Sequence, residues 1–240
     1  MVKVVGVKLS VALLVTCLIY SAPTARDCIE NTVVLSKQLD LVAAGEYYEA
    51  AQNVGNWVLG ISANCHLGTG PTHDYFTGDT LENGDEFPKY SMLRNFNDIT
   101  YWVGGIVNGD TLVSAGWFYD VETAGGSEWT AVSGKPLRAR SVLDPSLAGY
   151  EDAVSELDLV GACTDTTVVS GIYYPDYFYG WPPRPLGIEI DQRSYAWSNH
   201  VAENIVFIDL TIRNIGEETI ERVYFGIRSR PMVGFTAEYG

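Results

Sequence analysis

The side chains best equipped to act as ligands crowd the segment from Cys65 to Glu86. Cys65, His66, His73 and Asp74 mix the donor types that zinc accepts. Zinc needs four such donors in tetrahedral array, and neither Cys-x-x-Cys nor His-x-x-x-His spacing is present, so a polar, Gly-rich loop carrying two histidines is the plainer reading. Asp74, Asp79, Glu82, Asp85 and Glu86 supply carboxylate oxygens of the kind calcium takes. Their spacing departs from the EF-hand loop, so Asp74, Asp79 and Asp85 are expected to form an irregular calcium site or else belong to a solvated acidic loop. A second cluster is aromatic: Tyr173, Tyr174, Tyr177, Phe178, Tyr179 and Trp181 precede Pro182-Pro183. Ring faces of this kind suit sugars and protein partners, which makes Tyr174, Tyr177, Tyr179 and Trp181 candidate ligand-binding residues. The alternative is that they fold back to cover a sheet end.

Catalytic chemistry has little to stand on. The sequence has no Gly-x-Ser-x-Gly elbow, and His66, His73 and His200 follow no recognisable triad order. A carboxylate pair for glycoside hydrolysis must flank a cleft, and 30 acidic residues leave too many pairs to choose among. No catalytic residue is assigned.

The N-terminus runs from Lys3 and Lys8 through the apolar stretch Val11 to Tyr20 to small residues at Ser21, Ala22 and Ala25, with charge returning at Arg26. That order is the layout of a secretory signal peptide, with cleavage expected after Ala25 although Pro23 fits the site poorly. A lipoprotein layout would instead use Cys17. The apolar stretch is too short to span a bilayer as a helix. Cleavage removes two lysines and no acid, leaving 13 basic against 30 acidic residues and moving the net charge from −15 to −17. Nucleic acid is thereby disfavoured as a partner, since phosphate binding relies on clustered Lys and Arg. Cys28, Cys65 and Cys163 remain after cleavage, enough for one internal bridge whose pair the sequence does not choose.

These residues must be held by elements whose periods are legible. Ser36 to Asn53 carries Leu39, Val42, Ala43, Tyr47 and Ala50 near a 3.6-residue period and predicts a short helix. From Gly55 onward the texture is short β-prone runs broken by Gly, Pro, Asn and Asp. A hairpin is predicted where Ile106 and Val107 meet Thr111, Leu112 and Val113 across Asn108-Gly109. A second is predicted where Val206, Ile208, Leu210 and Ile212 turn at Asn214-Ile215-Gly216 to meet Val223, Phe225 and Ile227. Leu186, Ile188 and Ile190 begin a further strand continuing through Tyr195 and Trp197, and residues 119–161 read as long loops with one or two strands. The reading is an all-β fold, a β-sandwich of immunoglobulin-like or jelly-roll-like type, with one short N-terminal helix after a signal peptide. Its parts are a leader at 1–25, an N-terminal segment at 26–54 and a β region at 55–240. Because the last residues follow closely on a strand pair, a longer gene product is expected.

Several phrases carry a resemblance. They are Asn53-Val54-Gly55-Asn56, Trp102-Val103-Gly104-Gly105 with Gly109-Asp110-Thr111-Leu112-Val113-Ser114, the run from Arg184 to Ser198, Asn214-Ile215-Gly216, and Val223-Tyr224-Phe225-Gly226-Ile227. Together they resemble uncharacterised secreted bacterial proteins that carry repeated β-sandwich modules and a C-terminal cell-surface sorting domain. The resemblance runs from about Asn53 to Ile227. It implies an N-terminal portion of a large exported protein and transfers no catalytic residue. Members often place an Asp-containing turn after the Gly-Ile pair, whereas this chain has Arg228-Ser229-Arg230-Pro231, and the sorting domain is missing. The last predicted hairpin is also similar to the Asn-x-Gly strand pair of adhesion-type immunoglobulin-like sandwiches, which speaks to fold alone. The expected role is an extracellular or cell-surface structural or adhesive module with a glycan or protein partner and no cofactor beyond calcium. The competing expectation is a carbohydrate-binding module or a segment of a glycan-active enzyme.

Overall fold

The computed structural model describes residues 6–13, 49–68, 72–116, 127–166 and 184–235. In chain order, the strands among them are β1 (Gly6–Leu13), β2 (Glu49–Gln52), β3 (Val58–Ser62), β4 (His66–Leu67), β5 (Thr72–His73), β6 (Thr80–Leu81), β7 (Asp85–Glu86) and β8 (Leu93–Val107). They continue with β9 (Asp110–Ala115), β10 (Thr130–Ala131), β11 (Arg138–Arg140), β12 (Leu157–Thr164), β13 (Ile188–Ala196), β14 (Val206–Asn214) and β15 (Ile220–Phe235). The described chain is all-β, its one helical turn being the 3-10 segment Tyr150–Asp152. No helix among the described residues is long and apolar enough to cross a membrane.

Two large antiparallel sheets result. The first runs β1-β14-β13-β12-β10, with β11 also on β12. The second runs β15-β8-β4-β3-β2, with β9 also on β8 and β7 on β3, while β5 and β6 form a small separate pair. Period-two alternation explains what each buries. Along β13, Ile188, Ile190, Gln192, Ser194 and Ala196 point inward, and along β14, Val206, Ile208 and Leu210 do the same. Of these, Ile188, Ile190, Val206, Ile208 and Leu210 join Leu59, Ile61, Leu67, Ile99, Tyr101 and Val103 of the second sheet in one apolar cluster. A polar seam crosses it. Gln52 Nε2 donates to Leu157 O (2.7 Å) and Ser194 Oγ (3.1 Å), tying β2 to the first sheet.

The bridge forms between Cys65 and Cys163, with Cα atoms 5.9 Å apart and a sequence separation of 98. Cys65 lies in the turn between β3 and β4, and Cys163 on β12, so the link joins the two large sheets. Cys28 lies outside the described residues.

Two expectations about elements need correcting. Glu49–Gln52, the end of the predicted helix, is strand β2, because Ala50, Ala51 and Gln52 are all buried against β3 and a helix would turn part of that run outward. Residues 36–48 lie outside the described set. The second predicted hairpin is not one: β14 pairs with β13 and β1 in the first sheet, and β15 pairs with β8 in the second. The link from Asn214 to Ile220 crosses between sheets. Its turn docks on Gly187, whose carbonyl accepts from the N–H groups of Ile215 (2.8 Å) and Gly216 (3.0 Å). By contrast the Asn108-Gly109 hairpin forms as predicted, both residues at positive φ (52° and 88°) and Ile106 opposite Thr111. Gly6–Leu13, inside the stretch read as a leader, occupies the outer side of β14.

Candidate functional site

The acidic segment is built into the fold. Asp85 is fully buried, with one carboxylate oxygen accepting from Trp57 Nε1 (2.7 Å) and the other from the N–H groups of Asn95 (2.6 Å) and Phe96 (2.5 Å). Desolvation raises its pKa, and these donors oppose the rise. Asp74 organises its own turn, accepting from Phe76 N (2.7 Å), Thr77 N (3.0 Å) and Asn53 Nδ2 (2.6 Å). Asp79 is exposed, and its backbone carbonyl closes the same turn on Asp74 N. The three expected ligands are therefore not brought together. Among the described residues no group of three or more His, Cys, Asp or Glu is placed to hold a metal ion. Cys65 is oxidised, and His73 sits on β5 opposite Thr80, so the mixed cluster is dispersed as well. Tyr174, Tyr177, Tyr179 and Trp181 lie outside the described residues.

The fold does assemble a serine, a histidine and an aspartate that sequence order gave no reason to connect. His66 on β4 faces Thr100 on β8, so it shares a sheet face with Asp98 two residues along. Its Nε2 stands 3.0 Å from Ser127 Oγ. Burial drives the imidazole pKa down to about 4, against the smaller upward pull of Asp98. Arg228 and Arg230 both pair with the Asp98 carboxylate. A triad aspartate must stabilise the imidazolium as it forms. Here that charge is already met by two guanidiniums, and a base with a conjugate-acid pKa near 4 draws a serine proton weakly. His66 acts as a neutral side chain hydrogen-bonded to Ser127, linking β4 to that segment.

A different surface is open. On the face of β8 that carries Asp98 and Thr100, Trp102 lies between Ala115 of β9 and Gly226 of β15, and in the next row Gly104 lies between Val113 and Tyr224. Trp102 is 38% exposed, Val113 47% and Tyr224 70%. Gly104 and Gly226 place no side chain between them, leaving a floor of bare backbone flanked by the two aromatic residues. Trp102 is fixed by its Nε1, which donates to Gly116 O (3.0 Å), and Thr100 Oγ1 donates to the same carbonyl (2.9 Å). Arg228 stands opposite Thr100, so guanidinium donors border the apolar rows. The phrases Trp102-Val103-Gly104-Gly105 and Val223-Tyr224-Phe225-Gly226 meet here in antiparallel register. Alternation within each phrase already placed Trp102 with Gly104 and Tyr224 with Gly226; their meeting required a pairing across more than half the chain.

No protein-family model matches this sequence, and no curated protein or solved structure matches it either.

Proposed function

We propose that this chain is an exported, extracellular or cell-surface β-sandwich module with a structural or adhesive role, and that the outer face of β9, β8 and β15 is its contact surface. The observation that carries the reading is that surface: Trp102, Val113 and Tyr224 stay exposed on a sheet face where Thr100, the Trp102 indole N–H and Arg228 are held in internal bonds. Contiguous exposed apolar side chains on an ordered sheet mark interaction sites more often than chance exposure does. Export is supported by the leader layout and by a bridge between the two large sheets, a bond that persists in oxidising compartments. The shared apolar cluster supports two packed layers, with the inner rows of β13 and β14 facing those of β3, β4 and β8. The resemblance to secreted bacterial β-sandwich proteins fits the same role.

The bare floor between Trp102 and Tyr224 favours a second reading, a carbohydrate-binding surface in which a sugar ring lies against the aromatic faces. A glycan array probed with the exported chain and with Tyr224→Ala separates the two. Saturable binding that the substitution abolishes selects the glycan reading, and turnover of a polysaccharide removes both in favour of an enzyme. Recovery of the chain from the cytosol with Cys65 and Cys163 as free thiols would remove export.

A further inference from the structure

The two large sheets treat their outer strands differently. β15 pairs only with β8 among the described residues, and its register shifts between Glu221 and Tyr224, between Arg230 and Pro231 and between Pro231 and Gly234. It also carries Arg222 at positive φ and a proline. Bulges, charges and proline are the devices that keep a sheet edge from pairing with another chain. β14 has neither a bulge nor a proline on the side facing β1, and its charges are confined to Asp209 and Arg213. Eight consecutive residues, Val206 to Arg213, pair with Leu13 to Gly6 without a shift. The charge of Arg213 is already met by Glu189 and Asp191. An unbroken, regular edge of this length suits pairing with another strand.

The strand that covers it lies within residues 1–25, and cleavage after Ala25 would take it away. Resting on the export reading, we propose that the β14 edge of the exported chain is covered by β14 of a second copy, joining the two first sheets into one across a two-fold axis. The sequence of β14 suits antiparallel self-pairing centred on Leu210. Ile208 then faces the partner's Ile212, continuing the apolar inner row. Asp209 faces the partner's Thr211 and Phe207 faces the partner's Arg213, so no like charges meet. All nine residues of the strand are used. Centring on Asp209 would set two carboxylates against each other, and centring on Thr211 would shorten the overlap and put Ile208 opposite the partner's Asn214. An isologous contact of this kind closes on itself, each β14 edge covering the other.

The test uses chain purified after secretion, with its N-terminus read by mass spectrometry and its molar mass by sedimentation equilibrium. A variant carrying Asp209→Cys and Thr211→Cys in a Cys28→Ser background reads the register, since each new thiol would lie directly across from its counterpart. Expected are loss of residues 1–25, the mass of two chains, and a covalent dimer on mild oxidation. A cleaved chain that stays monomeric overturns the dimer and leaves export standing. A dimer that fails to cross-link through 209 and 211 has its interface elsewhere and also overturns the proposal. An intact N-terminus overturns the export reading, and with it the vacant edge.

Discussion

Asp85 and His66 show how a residue typed as a ligand becomes part of the frame. Both oxygens of Asp85 are taken by three N–H donors, and Asp85→Ala leaves those donors buried without an acceptor. Unmet buried donors cost on the order of 1–3 kcal/mol each before relaxation, so the variant should lose about 3–5 kcal/mol, read from its urea midpoint. Chelator should leave the melting temperature of the native chain unchanged, since Asp85 has no oxygen free for a cation. His66 makes stability depend on pH. Its pKa is about 4 in the fold against 6.5 for an unperturbed imidazole, so the unfolded chain takes up the proton first. The stabilisation from keeping it neutral is complete above pH 6.5 and is lost as pH falls toward 4, a change on the order of 3 kcal/mol. His66→Gln should flatten that part of the stability curve. Asp85 and Glu128 act in the other direction: their raised pKa values mean that acidification through those values relieves buried charge. A wild-type curve no steeper than the variant's between pH 4 and 6.5 would contradict the assignment to His66.

Among elements, the clearest contrast is between two turns that look alike in sequence. Asn108-Gly109 closes a hairpin because its positive φ values bring adjacent strands back into pairing. Asn214-Ile215-Gly216 sits in a longer link, is held by Gly187, and delivers the chain to the opposite sheet. Gly187 has φ +80°, and a Cβ there would come within 3.0 Å of the Gly216 backbone. Gly187→Ala should therefore cost about 1–3 kcal/mol and lower the melting temperature without altering the strands. Gly55 has a related role. A Cβ there would lie 2.4 Å from the Glu203 carbonyl oxygen, the atom that accepts from Asn56 N, so the turn after β2 seats on the link between β13 and β14. The helix expected at Ser36 to Asn53 gave way at its end for a similar reason. Burial of three consecutive residues suits a strand covered on both faces, and tertiary contact outweighed local helix propensity.

For the whole molecule, the link between Cys65 and Cys163 closes a loop of 98 residues. Limiting the unfolded chain over that length stabilises the fold by roughly 4–5 kcal/mol in the loop-entropy treatment. Reductant should lower the denaturation midpoint accordingly, and a Cys65→Ser, Cys163→Ser double variant should match the reduced protein. The exposed face responds differently. Tyr224→Ala should leave the melting temperature within about 1 °C of wild type, because surface substitutions away from caps and networks cost little, while abolishing whatever contact the platform makes.

The residues alone determined the all-β character, the inner rows of β13 and β14 and the Asn108-Gly109 hairpin. Each of these is a local matter, set by side-chain period or by the φ a turn residue tolerates. Only the tertiary structure decided that β14 and β15 part company, that Cys65 meets Cys163, that Asp85 is walled in, and that Trp102 and Tyr224 share one face. Those outcomes join residues tens to more than a hundred positions apart, and alternation says which way a side chain points while leaving open which strand will lie beside it.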